Sequence, residues 1–329
     1  SFFKGIFMNI NNIIRENKLV IPLLGVPGIK LSKTTLKENL TDSEVQYKTL
    51  SMLIDRFTPD GIFPLMDLTV EAEALGVKIN FPENEYPAVV EHSFKSKDDL
   101  QDLKNNWRGI TGRLKVFIEL MEKIAKNISI IKGGYVIGPF TMAGELIGAY
   151  DIAMNVKLNP DLVLRFTEFS AEIISEYANA LFDAGADVIA VLDPLAVVLS
   201  PEQYKEFSLY PLKNLISNVN NNPVILHICG NTNHIIKSML DSGAVGLSLD
   251  SVLDFKELRK IIPEEIAMIG NLDPVKVFFQ SNPEEVIAAT RYLKESMKDA
   301  RNFVLSSGCD IPVNAPLENI EAFMKAARE

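Results

Sequence analysis

Two cysteines and three histidines are scattered through 329 residues, and three of these five fall where a single ion could gather them. In the run Leu226-His227-Ile228-Cys229, alternate residues of an extended chain face the same side. His227 and Cys229 therefore point together while Ile228 points away. Cys309, far along the chain, is the third candidate. One imidazole nitrogen and two thiolates form a borderline-soft donor set suited to Zn²⁺, and three protein ligands leave one coordination position open, which is the catalytic arrangement. The competing account is two buried cysteines acting as small apolar residues and a histidine satisfied in the core. Against it stands the placement of all three at predicted strand exits, beside Gly230 and Gly308, which give the backbone room.

Those exits follow from the elements that must carry them. Short apolar or β-branched runs recur at 19–25, 61–66, 134–139, 187–192, 223–228, 245–250, 266–270 and 302–306. Helix candidates over 161–184, 201–218, 233–242 and 283–300 alternate with them, each starting near a capping residue or a proline. Near-continuous apolar strands joined by helical crossovers argue for a parallel sheet covered by helices. Eight such units predict closure into a (β/α)8 TIM barrel. The interval 67–132 breaks the spacing, and its loop signals around Pro82 and Pro87 predict an elaboration between strands 2 and 3. Apolar residues at helical spacing predict an amphipathic N-terminal helix over 1–18. With no low-complexity linker in view, the expectation is one domain over 1–329.

Reacting groups of such a barrel come from the carboxyl ends of its strands. The strand list thus points to Asp67, Pro139, Phe140, Asp193, His227, Cys229, Asp250, Asn271, Asp273 and Cys309. Asp193 and Asp250 are expected to orient His227 through its second ring nitrogen or to order the ligand loop. Glu71, Glu73 and Glu145 are candidate residents of the barrel mouth, one of them as a resting fourth ligand; Glu71 and Glu73 read equally well as an exposed helix face. Asp273, before Pro274, reads as a turn residue. His234 reads as a capping or solvent-facing residue and His92 as a surface residue.

Composition excludes several function classes. Lys plus Arg total 33 against 43 for Asp plus Glu, a formal charge of −10, and no basic tract is present to follow a phosphate backbone, so nucleic acid is not an expected partner. Two cysteines are too few for a disulfide framework and fit a reducing, cytoplasmic setting. No run of eighteen uncharged apolar residues suggests a membrane span.

The segments Leu226 to Asn231, Gly270-Asn271-Leu272-Asp273-Pro274, Ser307-Gly308-Cys309-Asp310-Ile311-Pro312 and Ala315-Pro316-Leu317-Glu318-Asn319 resemble the uroporphyrinogen decarboxylase superfamily. So do Val70-Glu71-Ala72-Glu73-Ala74-Leu75-Gly76, Gly138-Pro139-Phe140-Thr141 and Asp193-Pro194 followed by Leu199-Ser200-Pro201. The similarity runs from about residue 60 to the end of the sequence. The His-x-Cys plus distant Cys set resembles the methylcobamide:coenzyme M methyltransferase branch. The decarboxylases themselves carry an arginine-rich motif near the N-terminus, whereas this chain reads Gly25-Val26-Pro27-Gly28-Ile29-Lys30.

The resemblance implies a zinc-dependent corrinoid methyltransferase, with His227, Cys229 and Cys309 as the ligands. Metal binding removes a thiol's proton. Two thiolates and a neutral imidazole cancel the ion's charge, so an arriving substrate thiolate keeps its electron density for attack on the methyl group of a methylated corrinoid (methylcobamide), the methyl donor. The thiol is a small one such as coenzyme M; Arg56, Lys132 and loop amides are the candidates for its far end. A transiently docking small corrinoid-binding protein is the implied partner, because the cobalt-ligating motif Asp-x-His-x-x-Gly is absent from this sequence. Two alternatives remain: loading of a methyl group from an O-methyl donor onto a corrinoid protein, and a non-enzymatic corrinoid- or tetrapyrrole-binding barrel.

Overall fold

The computed structural model describes residues 13, 14, 17–92 and 94–329; the expected helix over 1–18 falls almost wholly outside them. Parallel strands dominate. The strands β1 (Gly61–Ile62), β4 (Ile131–Ile137), β5 (Val188–Leu192), β6 (Val224–Ile228), β7 (Gly246–Leu249), β8 (Ala267–Leu272) and β9 (Phe303–Ser307) form one sheet in the order β1-β4-β5-β6-β7-β8-β9. A separate antiparallel ribbon pairs β2 (Ile79–Asn80) with β3 (Ala88–Val89). Every step between neighbours in the large sheet is parallel, as crossover helices require.

The gap between β9 and β1 is filled by the chain around Val20. Val20 bridges Leu305 in parallel. Ile21 N–H donates to the Leu305 carbonyl, Leu305 N–H to that of Leu19, and Asp60 N–H to that of Val20. This segment takes the eighth position of the (β/α)8 barrel, but the strand expected over 19–25 is cut to a single bridge. Pro22 has no N–H to continue the ladder, and Leu23 N–H turns to the Ser307 hydroxyl instead. The strand expected over 61–66 is shortened in the same way: Pro64 interrupts it, and Leu65 N–H is taken by the Gln46 side chain at 2.8 Å.

Side-chain alternation separates two cores. Val188, Ala190, Leu192, Ile225, Ala267, Ile269 and Val304 point inward with Leu19, Ile21 and Phe63. Ile189, Val191, Leu226, Ile228 and Leu247 point outward against the helices, chief among them Pro160–Asp183. Period-2 alternation therefore places His227 inside the barrel, next above Ile225, and sends Ile228 into the helical layer. Between β1 and β4 the chain forms the helix Val70–Ala74, the β2–β3 ribbon, the helix Lys97–Asn106 and the helix Arg113–Asn127. Among the described residues no helix is long and apolar enough to cross a membrane.

Candidate metal centre at the barrel mouth

Strand β6 delivers His227 to the inner face, and the backbone then turns through Gly230 at φ +86°, a conformation that side-chain-bearing residues rarely adopt. The turn folds Cys229 back, leaving its Sγ 2.9 Å from His227 Nε2. Cys309 arrives from beyond β9. A Cβ on Gly308 would lie 2.6 Å from the Ser251 backbone nitrogen, so only glycine allows this loop to press against the β7 exit. Cys309 Sγ reaches 3.4 Å from Cys229 Sγ and 3.8 Å from His227 Nε2.

Tetrahedral zinc, with bonds of about 2.1 Å to nitrogen and 2.3 Å to sulfur, needs donor separations of roughly 3.6–3.8 Å. Two of the three observed separations lie within about 0.4 Å of that range, and the third closes the set with a small movement of Cys229. The chemistry of the donors fits as well. His227 is buried, and its Nδ1 lies 3.1 Å from the Ser248 carbonyl oxygen and 3.0 Å from its hydroxyl. A carbonyl only accepts, so Nδ1 carries the hydrogen and Nε2 turns its lone pair toward the two sulfurs. The hydrogen bond from the Cys229 thiol holds the Cys309 thiol below its ordinary range, while that same bond and burial push the Cys229 thiol up.

Neither predicted aspartate touches the imidazole. Asp193 is fully buried and accepts from Thr141 N–H, the Thr141 hydroxyl and the Ser208 hydroxyl at 2.6–2.7 Å, so it ties the β4 and β5 exits together; burial raises its carboxyl. Asp250 accepts from Gly230 N–H at 2.8 Å and from Val252 N–H at 3.1 Å, joining the Cys229 loop to the β7 exit. The group that faces the second ring nitrogen is Ser248, the register partner of His227. Its sequence signal was a lone polar residue between Leu247 and Leu249 on an otherwise apolar strand.

The remaining candidates divide. Glu71 is buried, not on an exposed helix face: Oε1 accepts from Ile137 N–H at 2.9 Å, Oε2 has no partner among the described residues, and burial pushes its carboxyl up to about 7. Glu73 pairs with Arg113, which also binds Asp67. Asp273 caps a turn through Val275 and Lys276 N–H. His234 Nε2 lies 3.0 Å from the Leu199 carbonyl oxygen. His92 is exposed, as expected of a surface residue, and borders the mouth cavity beside Glu145. Arg56 pairs with Glu321, and Lys132 with Asp187 at the start of β4; both belong to the amino end of the barrel, away from the cysteines, and leave the thiol's far end without them.

Sequence reasoning also missed Tyr86. Its hydroxyl donates to Asp310 Oδ2 at 2.5 Å, linking the chain between β2 and β3 to the residue after Cys309. Tyr86, Asp310 and Cys309 all line a cavity of about 750 Å³ over this end of the barrel, with Asp67 and Glu145 on other walls.

The sequence model of the uroporphyrinogen decarboxylase (URO-D) family matches residues 26–329. The chain belongs to this family. Among its relatives, the methylcobamide:CoM methyltransferase MtbA of Methanosarcina mazei is 32% identical over 80% of this chain and 77% of its own length. The methylcobamide:CoM methyltransferase MtaA of Methanosarcina barkeri is 33% identical over the same shares. A solved methyltransferase structure from Methanosarcina mazei superposes with a TM-score of 0.85 at 26% identity, covering 97% of both chains. Within the URO-D family, then, similarity runs to corrinoid methyltransferases, and this chain's paired cysteines and histidine meet at the end of the barrel where such chemistry is done.

Proposed function

We propose that this chain is a zinc-dependent corrinoid methyltransferase that moves a methyl group from a methylcobamide, carried by a separate small corrinoid protein, to a thiol. The observation that carries the reading is the convergence of His227 Nε2, Cys229 Sγ and Cys309 Sγ within a few ångströms of one another at the foot of an open cavity. A zinc ion bound there supplies Lewis acidity that ionises an arriving thiol at neutral pH and holds it in place.

The chain's own residues do the rest. Ser248 fixes the imidazole tautomer, Asp250 fixes the turn that carries Cys229, and the cavity lets a methyl donor approach from above. Proximity of donor and acceptor provides much of the acceleration for a displacement of this kind. Docking of a corrinoid protein is transient, because the demethylated cofactor must leave to be remethylated. The segment 67–132, which contributes Tyr86 to the rim, is the part of the chain that closes on or receives that partner.

The test is turnover with methylcobalamin, read from the absorbance change at cobalt, against a panel of thiols. Coenzyme M, the acceptor in the relatives' names, is the first to try. Methyl transfer to a thiol supports the reading. Methylation of cob(I)alamin from an O-methyl donor with no thiol added would replace it.

A further inference from the structure

Cys229 and Cys309 are the only cysteines in the sequence, and both are free thiols. They stand on loops 80 residues apart, yet their sulfurs approach to 3.4 Å. That is nearer than the roughly 3.8 Å that two thiolates on one tetrahedral zinc require. Closing to a disulfide bond takes a further movement of about 1.4 Å from the present 3.4 Å. With no third cysteine to compete, one intramolecular pairing is open to the chain.

Access to the two sulfurs is unequal. Cys309 lines the cavity of about 750 Å³ at the barrel mouth, and Cys229 does not. A sulfur that an oxidant can reach, backed by a second sulfur in contact with it, is the arrangement in which a first oxidation is completed as a disulfide. Disulfides of proteins in reducing compartments are mostly of this transient kind.

We infer that Cys229 and Cys309 form a reversible redox switch, in which hydrogen peroxide converts them to an intramolecular disulfide that expels zinc and stops methyl transfer. The inference rests on the zinc reading above and adds a means of regulating that site. Cys309 Sγ attacks one peroxide oxygen; the O–O bond breaks, leaving a sulfenic acid and hydroxide. Cys229 Sγ then attacks the oxidised sulfur, forming the S–S bond and displacing a second hydroxide. Both hydroxides take protons from solvent. Two thiolates, one peroxide and two protons thus give one disulfide and two waters, and the sulfurs lose the two electrons that the peroxide gains. Zinc is held by thiolates, so the disulfide leaves it only His227 and it departs as the free ion. A reducing thiol reverses the change by exchange.

The test treats the zinc-loaded protein with a graded excess of hydrogen peroxide. Zinc release is followed with a chromogenic chelator, free thiols are counted after denaturation, and non-reduced peptides are mapped by mass. The inference expects both thiols to disappear in step with zinc release, a peptide joining Cys229 to Cys309, and a chain that stays monomeric in this respect, with no disulfide between copies. Dithiothreitol and zinc should then restore both thiols, bound metal and methyl transfer. In Cys229→Ala the oxidation should stop at a Cys309 sulfenic acid that dimedone traps, and in Cys309→Ala the remaining thiol should react about tenfold more slowly or less. Thiols and zinc unchanged under peroxide, loss of one thiol as sulfinic acid, or disulfides between copies would overturn the switch. If the protein takes up no zinc, the metal reading fails, and the fate of the two thiols alone decides whether the pair is a switch.

Discussion

The imidazole of His227 faces its register partner Ser248 across the β6–β7 ladder, with Nδ1 3.0 Å from the hydroxyl and 3.1 Å from the carbonyl oxygen of that residue. This contact fixes which ring nitrogen is free, and partners of this kind tune ligand basicity. Ser248→Ala removes the hydroxyl and leaves the carbonyl, so zinc affinity should weaken by about tenfold, the lower end of the effect expected when such a partner is lost. Competition with a chromogenic chelator measures it. An unchanged affinity would show that the carbonyl alone orients the ring.

The loop carrying Cys309 depends on Gly308. A methyl group there would lie 2.6 Å from the Ser251 backbone nitrogen, and backbone cannot move aside as a flexible side chain can. Gly308→Ala should cost about 1–3 kcal/mol in urea unfolding and displace Cys309 enough to reduce bound zinc well below one per chain. Retention of full zinc content would mean that the loop relaxes without moving the sulfur.

Much of this site was legible from local pattern. His227 and Cys229 share a face because strand residues alternate, and they stand at an exit because the apolar run ends there; neither inference needs the rest of the fold. What the sequence hid were relations between distant segments. Ser248 matters through its register with His227, and Tyr86 through a hydrogen bond to Asp310, and no local pattern reports either pairing. Asp193 and Asp250 were found at the right strand ends; Asp250 orders the Cys229 loop through Gly230 N–H, whereas the oxygens of Asp193 are taken by Thr141 and Ser208. The first two strands read too long because hydropathy is blind to the missing N–H groups of Pro22 and Pro64.

Glu71 should make stability depend on pH. Its carboxyl is raised by burial from an ordinary 4.5 to about 7, so between those values the folded chain holds a proton that the unfolded chain releases. The stabilisation is complete below about pH 4.5 and is lost as pH rises through about 7, a change of up to about 3 kcal/mol. Glu71→Gln keeps an oxygen to accept from Ile137 N–H and has nothing to titrate. Its urea midpoint, compared with that of the unaltered protein in the same metal state, should be similar at pH 5 and higher at pH 8. Parallel pH profiles for the two proteins would refute the assignment.

The central claim is that His227, Cys229 and Cys309 hold one zinc ion on which methyl transfer depends. The most direct measurement combines metal content with single-turnover demethylation of methylcobalamin by a thiol, on the native protein, on protein stripped by chelator and reconstituted, and on Cys309→Ala. The account predicts about one zinc per chain, loss of both metal and turnover on stripping, recovery of both with zinc, and a Cys309→Ala protein that folds normally but has neither, because the barrel's stability resides in its packed interior. Full turnover by the stripped protein, or by Cys309→Ala without bound zinc, would contradict it.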